Sequence, residues 1–579
     1  MSRPGIRTSC LSLLLLFFLA LAVRLGQDWY FFLLHGPQAA HLIEVWYYLG
    51  VAEGVESLSP LDPTGWFLVL LGELARGKSL YHLVVGGAAV LSSLAAVAIS
   101  LWVGLDFDRR SGTWAGLAWV VLPAPLTLCL ANFSHDLMQG PLLPLLFFCF
   151  LAVFAPSRRR WIWLLPAALL AGGSLAVGPL AFGALAALLL AALAEAVAFW
   201  SWRRWGYWIG WSLAAAGCGV FVVLFHYHWL EWLAPLAARF RGIDLVAQVK
   251  IGVGDLLPLP PNGLWNRYGL FLFLVPWGVW RSLRVRRPFP IILFAVALGL
   301  SLSVNRSARL LDLGIVALAG AALADPARRR AWLTAAFAAV VLGLNLLAPA
   351  AASSVRLEMP FREQLLGLPP RATPVLATWL SAWLALPWAL SPIFLKDRWR
   401  PWAFLVPAAL SCAWVLGAAR TASDQVEYDL YRELDRVIPS GAKVFAAWNQ
   451  GYMIRALTDL DPVATPENID YGINRHYWED EETAWQGLRS RGVEFIRIST
   501  RGFGVTWTDR AADRFGMRGN TIIGPPPAHI TRLSDLERTL MFRLHYRPES
   551  LRLFRLIGSR LDPVHGIGVR VFELAKKKP

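Results

Sequence analysis

The chain has 579 residues, of which 56% are hydrophobic and only 16% are charged. Soluble globular proteins carry about 25% charged residues, so this balance excludes an ordinary soluble domain and predicts a membrane protein with many spans. The formal net charge of +16 does not indicate a nucleic-acid partner, because the basic residues lie in short tracts between apolar runs rather than in one patch.

Apolar runs of about 20 residues, the length that crosses a bilayer as a helix, predict about thirteen membrane spans. Their positions are 9–27, 79–104, 112–130, 137–155, 161–177, 179–199, 206–225, 267–280, 288–304, 309–324, 331–349, 373–395 and 402–419. The first run has no clear small-residue cleavage site after it, so we interpret it as a retained helix rather than a signal peptide. The predicted fold class is therefore a polytopic α-helical membrane protein.

Basic tracts fill alternate connections between these spans. They are DFDRR (106–110), SRRR (157–160), WRRW (202–205), RSLRVRR (281–287), DPARRR (325–330) and KDRWR (396–400). With thirteen spans, all of these tracts lie on the side of the N-terminus, which the positive-inside rule makes cytoplasmic. The pattern predicts an integral protein of the inner (cytoplasmic) membrane with its C-terminal part on the external, periplasmic side.

Two domains are predicted, a transmembrane domain over residues 1–419 and an external domain over residues 420–579. In the second domain, GAKVFAAW and VEFIRIS have the composition of short buried strands. The segment EETAWQGLRSRG between them has the apolar spacing of an amphipathic helix. We therefore expect an α/β fold for the external domain.

Ionisable residues collect on the predicted external face. His135 and Asp136 stand between two spans, and His41 lies in the first external loop. Asp255 lies in a long external loop, and Arg309 opens the tenth span. Charged groups at membrane depth are costly and usually mark a cavity or a site. The alternative for each residue alone is a solvated cap or an interfacial anchor, but their agreement on one face favours a shared cavity.

The atoms of this set suit a divalent metal and an anion. Asp136 and Asp255, with His135 or His41, could supply ligands to Mg²⁺ or Mn²⁺, and such a metal would offset a pyrophosphate leaving group. Arg309 could bind the same anion through its planar guanidinium.

The tail contains the segment AAWNQGY directly after a predicted strand. Trp448 could supply a flat apolar wall, and Asn449 or Gln450 the hydrogen bonds of a recognition turn. Gly451 could supply an unusual backbone angle. The alternative is a strand-to-helix turn with one packed tryptophan.

The order of these features resembles the catalytic subunit of oligosaccharyltransferases, the membrane GT-C glycosyltransferases that transfer a glycan from a polyprenyl-linked donor to asparagine. FSHDLMQ (133–139) is similar to the acidic metal motif of that family, and VGDLLP (253–258) to a loop segment where Asp255 would replace a glutamate. RSARLLDLGIVALAG (306–320) resembles the helix whose arginine contacts the donor phosphate, which implies that role for Arg309. WNQG (448–451) stands where the family has its WWDYG acceptor motif.

The sequence also departs from the family at three positions. Ser134 replaces the leading aspartate of the metal motif, and Asn449 replaces the aspartate that binds the acceptor Ser/Thr. The family has an essential aspartate shortly before a YYH-like element, whereas HGPQAAH (35–41) retains His41 but contains no acid. The resemblance therefore implies a divergent member.

The predicted function is transfer of a sugar or oligosaccharide from a polyprenyl-phosphate-linked donor to a protein acceptor at the external face. Asp136 and Asp255 are the candidate catalytic residues, and Arg309 and His41 the candidate ligands of the donor phosphate. One alternative is a GT-C enzyme with a lipid or glycan acceptor, which Asn449 slightly favours. Another is a transporter or non-catalytic membrane protein, although transporters usually place their polar residues near the bilayer midplane.

Overall fold

The computed structural model describes most of the first two hundred residues, a block near residue 300 and much of the C-terminal part. The described residues are 10–35, 44–54, 63–75, 79–122, 125, 133–153, 160–178, 180–199, 264, 267–302, 308–324, 425–446, 450–464, 473, 475–499, 506–507, 515–516, 533–562 and 567–576. Four predicted spans (206–225, 331–349, 373–395 and 402–419) and the predicted domain boundary at 419 lie outside them.

Apolar helices make up the first part of the chain. They are α1 (Cys10–His35), α2 (Glu44–Glu53), α3 (Pro63–Leu74), α4 (Leu80–Asp106), α5 (Arg109–Val121), α6 (His135–Val153), α7 (Leu164–Val177), α8 (Leu180–Phe199), α9 (Val275–Arg284), α10 (Phe289–Ser301) and α11 (Ala308–Ala324). Short 3₁₀ turns precede α7 (Arg160–Trp163) and α9 (Gly269–Leu274). Within the described residues, the segments Cys10–Leu33, Leu80–Asp106 and Asp136–Val153 are long and apolar enough to cross a membrane.

The first helix is longer than predicted, since it ends at His35 rather than near residue 27. The prediction ended at the polar residues that follow Arg24, but the helix buries Arg24 and Asp28. The Arg24 guanidinium donates to Ser92 Oγ at 3.0 Å and to the Trp119 carbonyl at 3.1 Å. Because α4 and α5 supply these acceptors, the charge is accommodated inside the bundle and the helix continues.

Small residues bring the membrane helices close together. A Cβ atom on Gly112 would lie 2.3 Å from the Ser100 carbonyl oxygen, so α5 packs directly on the backbone of α4. A Cβ atom on Gly320 would lie 2.5 Å from the Ala115 Cβ, which brings α11 equally close to α5. Such contacts are typical of helix packing in membranes, where close van der Waals approach replaces the hydrophobic driving force.

Several connections with basic tracts meet at one end of the bundle. Asp108 caps α5 by accepting the Ser111 N–H at 2.8 Å. Arg281 at the end of α9 donates to Asp108 Oδ2 at 2.5 Å and to the Ala321 carbonyl near the end of α11 at 2.5 Å. Arg109 donates to Ser12 Oγ at the start of α1 at 2.9 Å. The tracts DFDRR and RSLRVRR therefore lie on the same side as the start of α1, as the alternation of basic tracts predicts. That this side is cytoplasmic stays a prediction.

The C-terminal part is an α/β unit around a five-stranded sheet. Its elements are α12 (Gln425–Leu434), β1 (Lys443–Phe445), α13 (Gly451–Leu457), β2 (Asp461–Pro462), α14 (Glu481–Ser490), β3 (Phe495–Ser499), β4 (Thr506–Trp507), β5 (Phe515–Gly516), α15 (Leu533–Arg538), α16 (Leu540–Tyr546), β6 (Phe554–Asp562) and β7 (Ile567–Leu574). The strand order is β2-β1-β3-β7-β6. Strands β2, β1 and β3 are parallel, whereas β3, β7 and β6 are antiparallel.

The predicted strands GAKVFAAW and VEFIRIS correspond to β1 and β3, which are neighbours with Val444 opposite Phe495. The predicted amphipathic helix between them is α14, which Asp480 caps by accepting the N–H groups of Glu482 and Thr483 at 3.0 Å. A helix that connects two parallel strands covers one face of their sheet. Leu488 of α14 is accordingly buried in one cluster with Phe445 and Ile496 of the strands, as binary patterning requires.

A buried ion pair joins the first described helix of this unit to its sheet. Arg497 on β3 pairs with Glu427 on α12, and both side chains are almost fully covered. The Arg497 guanidinium also lies over the Tyr431 ring, 5.6 Å from its centroid. Burial raises the pKa of the Tyr431 hydroxyl above its ordinary value, so this residue stays neutral beside the pair.

Candidate functional site

An ion pair between Asp136 and Arg309 forms the centre of the candidate site. Asp136 lies in the first turn of α6 and Arg309 in the first turn of α11. Arg309 is twelve residues before Ala321, so at 1.5 Å per residue it lies about 18 Å along α11 from the Arg281 contact. The pair is therefore at the end of the bundle opposite the basic tracts, where the sequence predicts the external face.

Local electrostatics explain why these two residues meet. A carboxylate in the first turn of a helix is favoured by the helix dipole, whereas a guanidinium there is disfavoured. Asp136 thus has a favourable position on α6 and also neutralises Arg309, whose position on α11 is unfavourable. An arginine at a helix start requires an anion, and in this structure the anion is Asp136.

Ser134, which stands where the resemblance expects the leading aspartate of the metal motif, stabilises the start of α6. Ser134 is buried directly before α6, its carbonyl accepts the Leu137 N–H at 2.9 Å, and its hydroxyl accepts the Asp136 N–H at 3.4 Å. Serine is a preferred residue at helix starts because its side chain satisfies a free backbone N–H group. Ser134 therefore helps to fix the turn that carries Asp136.

A second ion pair lies beside the first. Arg267 donates to both carboxylate oxygens of Asp312, each at 3.1 Å. Asp312 is buried one turn after Arg309 on α11. Tyr268 fixes the segment that carries Arg267 by donating its hydroxyl to the Ala308 carbonyl at 2.8 Å.

Charges thus alternate as Asp136, Arg309, Asp312 and Arg267, and the set is formally neutral. The sequence analysis missed Arg267 and Asp312. The available signal was an acid within the apolar run RLLDLGIVALAG, because a charge inside a membrane helix needs a partner on a neighbouring segment. That signal identifies Asp312 but does not identify its partner.

Aromatic side chains of α2 and α3 cover this region. The Tyr48 ring on α2 lies 5.2 Å from the Phe133 ring in an edge-to-face contact, three residues before Asp136. The Phe67 ring on α3 stacks on the same phenylalanine at 6.1 Å. Helices α2 and α3 therefore pack against the segment that leads into the acidic turn.

Gln450 and Gly451 are the described residues of the predicted acceptor turn, and they stand at the start of α13. Gln450 is buried directly before α13, and its Oε1 atom has no hydrogen-bond partner among the described residues. Gly451 is the first residue of α13 and does not have a positive φ. The prediction that Gly451 supplies an unusual backbone angle is therefore wrong, because the helix begins at this residue and needs only ordinary helical angles.

Helix α13 packs on α2, which lies between α1 and α4 in the chain. The Tyr452 and Tyr47 rings are 4.6 Å apart, and the Trp46 ring stacks on Tyr428 of α12 at 6.3 Å. Trp46 also stacks on Tyr81 at the start of α4 at 5.4 Å. Aromatic contacts of α2 thus connect it with α4, α12 and α13.

The structure therefore brings Asp136 and Arg309 together and places Gln450 and Gly451 at the start of α13, the helix that packs on α2. His135 is the first residue of α6, next to Asp136. The other candidate residues lie outside the described residues; they are His41, Asp255, Trp448 and Asn449.

The metal prediction was tested on the side chains that the structure describes. Among these side chains, no three His, Cys, Asp or Glu residues gather closely enough to hold a metal ion. The carboxylate of Asp136 is engaged by a guanidinium instead. The described donors therefore do not fit a Mg²⁺ or Mn²⁺ site, and the set of Asp136, Asp255 and His135 stays a prediction.

Comparisons with known proteins identify the fold. No protein-family model and no curated protein matches the chain. The oligosaccharyltransferase of Archaeoglobus fulgidus, tethered to an acceptor peptide with an NVT sequon, matches 95% of this chain and 79% of its own with a TM-score of 0.59 and 14% identity. The same archaeal protein, AglB, in complex with an inhibitory peptide and a dolichol-phosphate matches over the same shares with a TM-score of 0.57 and 14% identity.

A second protein matches over its whole length. ArnT from Cupriavidus metallidurans, bound to undecaprenyl phosphate, is similar over 97% of this chain and 98% of its own, with a TM-score of 0.56 and 14% identity. The archaeal oligosaccharyltransferase has also been crystallised with zinc and sulfate. The resemblance inferred from the motifs is thus confirmed at the level of the fold, and the chain has the fold of the GT-C membrane glycosyltransferases, as a divergent example.

Proposed function

We propose that the protein is a membrane glycosyltransferase that uses a polyprenyl-phosphate-linked sugar as its donor. The single observation that carries this proposal is the Asp136–Arg309 ion pair at the starts of two membrane helices. The arginine is where a lipid phosphate at the membrane surface could reach it, and the carboxylate is where the reacting sugar would lie.

Two guanidiniums support phosphate binding. The Arg309 side chain is 12% exposed and the Arg267 side chain 22% exposed, so both reach the edge of the bundle while remaining mostly covered. A hydrogen bond to a charged group in such surroundings contributes roughly 1.5–3 kcal/mol, and the planar guanidinium can donate two such bonds to one phosphate. The starts of α6 and α11 add partial positive charge on the same side.

The chemistry follows from these positions. A nucleophilic nitrogen or oxygen of the acceptor attacks C1 of the sugar, while the bond from C1 to the phosphate oxygen breaks and its electron pair leaves on the phosphate. Arg309 stabilises the charge that develops on that oxygen. A carboxylate, Asp136 or Asp255, orients the acceptor and accepts the proton that its nucleophile loses.

Transfer to a protein acceptor is our first proposal. The turn at Trp448, Asn449, Gln450 and Gly451 would receive the acceptor, since Gln450 is buried directly before α13 and its amide oxygen has no hydrogen-bond partner among the described residues. The acceptor peptide bound by the archaeal oligosaccharyltransferase supports this choice. His41 remains a candidate for the donor phosphate.

A lipid or glycan acceptor is the second proposal. The observation that favours it is the match with ArnT, which covers almost the whole of both chains, whereas the oligosaccharyltransferase is matched over 79% of its length. Asn449 also lacks the charge of the aspartate that the resemblance would require.

We infer that the protein lies in the inner membrane with residues 1–419 as the membrane domain and 420–579 as an external domain. The ion pairs of the candidate site lie at the end of the bundle opposite the Arg109 and Arg281 contacts. The positive-inside rule assigns that opposite end to the external side. A protease applied from outside would reach the C-terminal unit in this orientation.

The proposal is tested by donor binding and sugar transfer with purified full-length protein. We expect Arg309→Gln to weaken binding of undecaprenyl phosphate about 10- to 100-fold, because the loss of one charge-assisted contact costs about 1.5–3 kcal/mol. Arg281→Gln is the matched control, since Arg281 also pairs with an aspartate but at the other end of the bundle. Equal binding by wild type and both variants would remove the assigned phosphate site.

A further inference from the structure

The two members of the central ion pair differ in their access to the surface. The Arg309 side chain is 12% exposed, whereas the Asp136 side chain is 0% exposed. A ligand that approaches from outside therefore meets the guanidinium first. In this arrangement, the carboxylate cannot contact an acceptor.

An anion that binds Arg309 must replace the carboxylate that already neutralises this guanidinium. Both guanidiniums are already engaged, Arg309 by Asp136 and Arg267 by Asp312. A phosphate that binds Arg309 must compete with a carboxylate for the same donors, since two anions around one guanidinium repel each other. Binding of the donor and pairing of Asp136 are therefore linked, and each weakens the other.

We propose that Asp136 holds Arg309 in place of the donor phosphate, and that donor binding frees the Asp136 carboxylate to face the acceptor. The proposal rests on the phosphate site proposed above. Donor binding then comes before acceptor binding, because the Asp136 carboxylate becomes available to the acceptor only after the donor has bound.

Asp312 does not undergo this exchange. It accepts two hydrogen bonds from Arg267, each at 3.1 Å, and lies one turn further into the membrane on α11. Asp136 is in the first turn of α6, and its counter-ion Arg309 is in the first turn of α11, so both stand at the end of the bundle. The two carboxylates therefore have different roles, one as a permanent counter-ion and the other as an exchangeable one.

The test compares headgroup discrimination, the ratio of the affinities for undecaprenyl phosphate and for uncharged undecaprenol. Full-length wild type, Asp136→Asn, Arg309→Gln and Asp108→Asn are measured in lipid nanodiscs. Asparagine keeps the shape of Asp136 and one acceptor for Arg309 but removes the competing charge. We expect Asp136→Asn to bind undecaprenyl phosphate about tenfold tighter or more, with no change for undecaprenol and with slower sugar transfer.

Asp108→Asn is the matched control, because it removes an equivalent aspartate–arginine pair at the other end of the bundle while asparagine still caps α5. We expect its discrimination to equal that of wild type. Unchanged or weaker phosphate binding by Asp136→Asn, together with loss of discrimination in Arg309→Gln, would overturn the exchange and leave the phosphate site standing. Unchanged discrimination in Arg309→Gln would instead overturn the phosphate site.

A measurement on the wild-type protein keeps the proposal testable if Asp136→Asn does not fold. Carboxyl groups are labelled with a carbodiimide and glycine ethyl ester, and the label on each peptide is quantified by mass spectrometry. We expect undecaprenyl phosphate to increase labelling of Asp136 several-fold and to leave Asp312 unchanged. Protection of Asp136 by the phosphate lipid would overturn the exchange.

Discussion

The buried pair between Glu427 and Arg497 offers a quantitative test of how the C-terminal unit is held together. Both side chains are nearly inaccessible, with exposures of 0% and 2%, and they connect α12 to the central strand β3. Glu427→Gln leaves the guanidinium of Arg497 buried without a counter-charge. Removal of one partner from a buried pair costs about 3–5 kcal/mol, because the remaining charge has lost its compensation.

This cost corresponds to a large change in thermal stability. For a unit of about 150 residues, 1 kcal/mol shifts the melting temperature by roughly 2–4 °C, so the C-terminal unit should melt roughly 6–20 °C lower. The assay is thermal unfolding of the full-length protein in detergent, followed by limited proteolysis of the C-terminal unit. A double variant, Glu427→Leu with Arg497→Met, should recover most of the loss, since a well-packed apolar pair can replace a buried ion pair.

An exposed pair in the same sheet provides the control. Arg555 pairs with Glu573 between β6 and β7, and the Arg555 side chain is 77% exposed. Glu573→Gln should cost only about 0–1 kcal/mol, because water screens this pair. Equal losses for Glu427→Gln and Glu573→Gln would refute the reasoning, since burial is the property that separates the two pairs.

Three further predictions concern packing and pH. Gly320→Leu should prevent α11 from packing on α5, because even a Cβ atom would lie 2.5 Å from the Ala115 Cβ. Size-exclusion chromatography should then show aggregated protein. The control Gly26→Leu, at an open position, should remain monodisperse. A double-mutant cycle of Tyr47→Ala and Tyr452→Ala should give a coupling energy of about 0.5–1.5 kcal/mol in thermal unfolding, and additive losses would exclude a direct contact between α2 and α13. Partial burial alone would raise the pKa of Asp480, but hydrogen bonds from the backbone and side chain of Thr483 and from the Glu482 N–H lower this pKa below its ordinary value. A lowered pKa stabilises the folded state at pH values above the ordinary pKa, and this stabilisation is lost as pH falls through the pKa of the folded protein. Asp480→Ala should therefore cost about 1 kcal/mol at pH 7 and less below about pH 3. An equal cost at both pH values would contradict this.

The arrangement of the helices follows from local features of the sequence. Apolar length predicts the helices, and the alternating basic tracts predict the common end at which Arg109, Arg281 and Asp108 meet. The strands β1 and β3 and the connecting helix α14 were predictable because their apolar spacing is regular.

Features that depend on distant partners could not be predicted in the same way. The length of α1 depends on acceptors for Arg24 that lie 68 and 95 residues away in the sequence. The partner of Asp312 is Arg267, 45 residues earlier and outside any motif. The shared cavity of the ionisable residues stays a prediction, and the arrangement of Asp136 and Arg309 as an ion pair required the geometry of two helix starts.

The most direct test of the central claim is a cryo-electron microscopy structure of the full-length protein with undecaprenyl phosphate. The account predicts the phosphate within hydrogen-bonding distance of the Arg309 guanidinium, with the Asp136 carboxylate displaced from it. A phosphate bound elsewhere, with Asp136 and Arg309 still paired, would contradict the account.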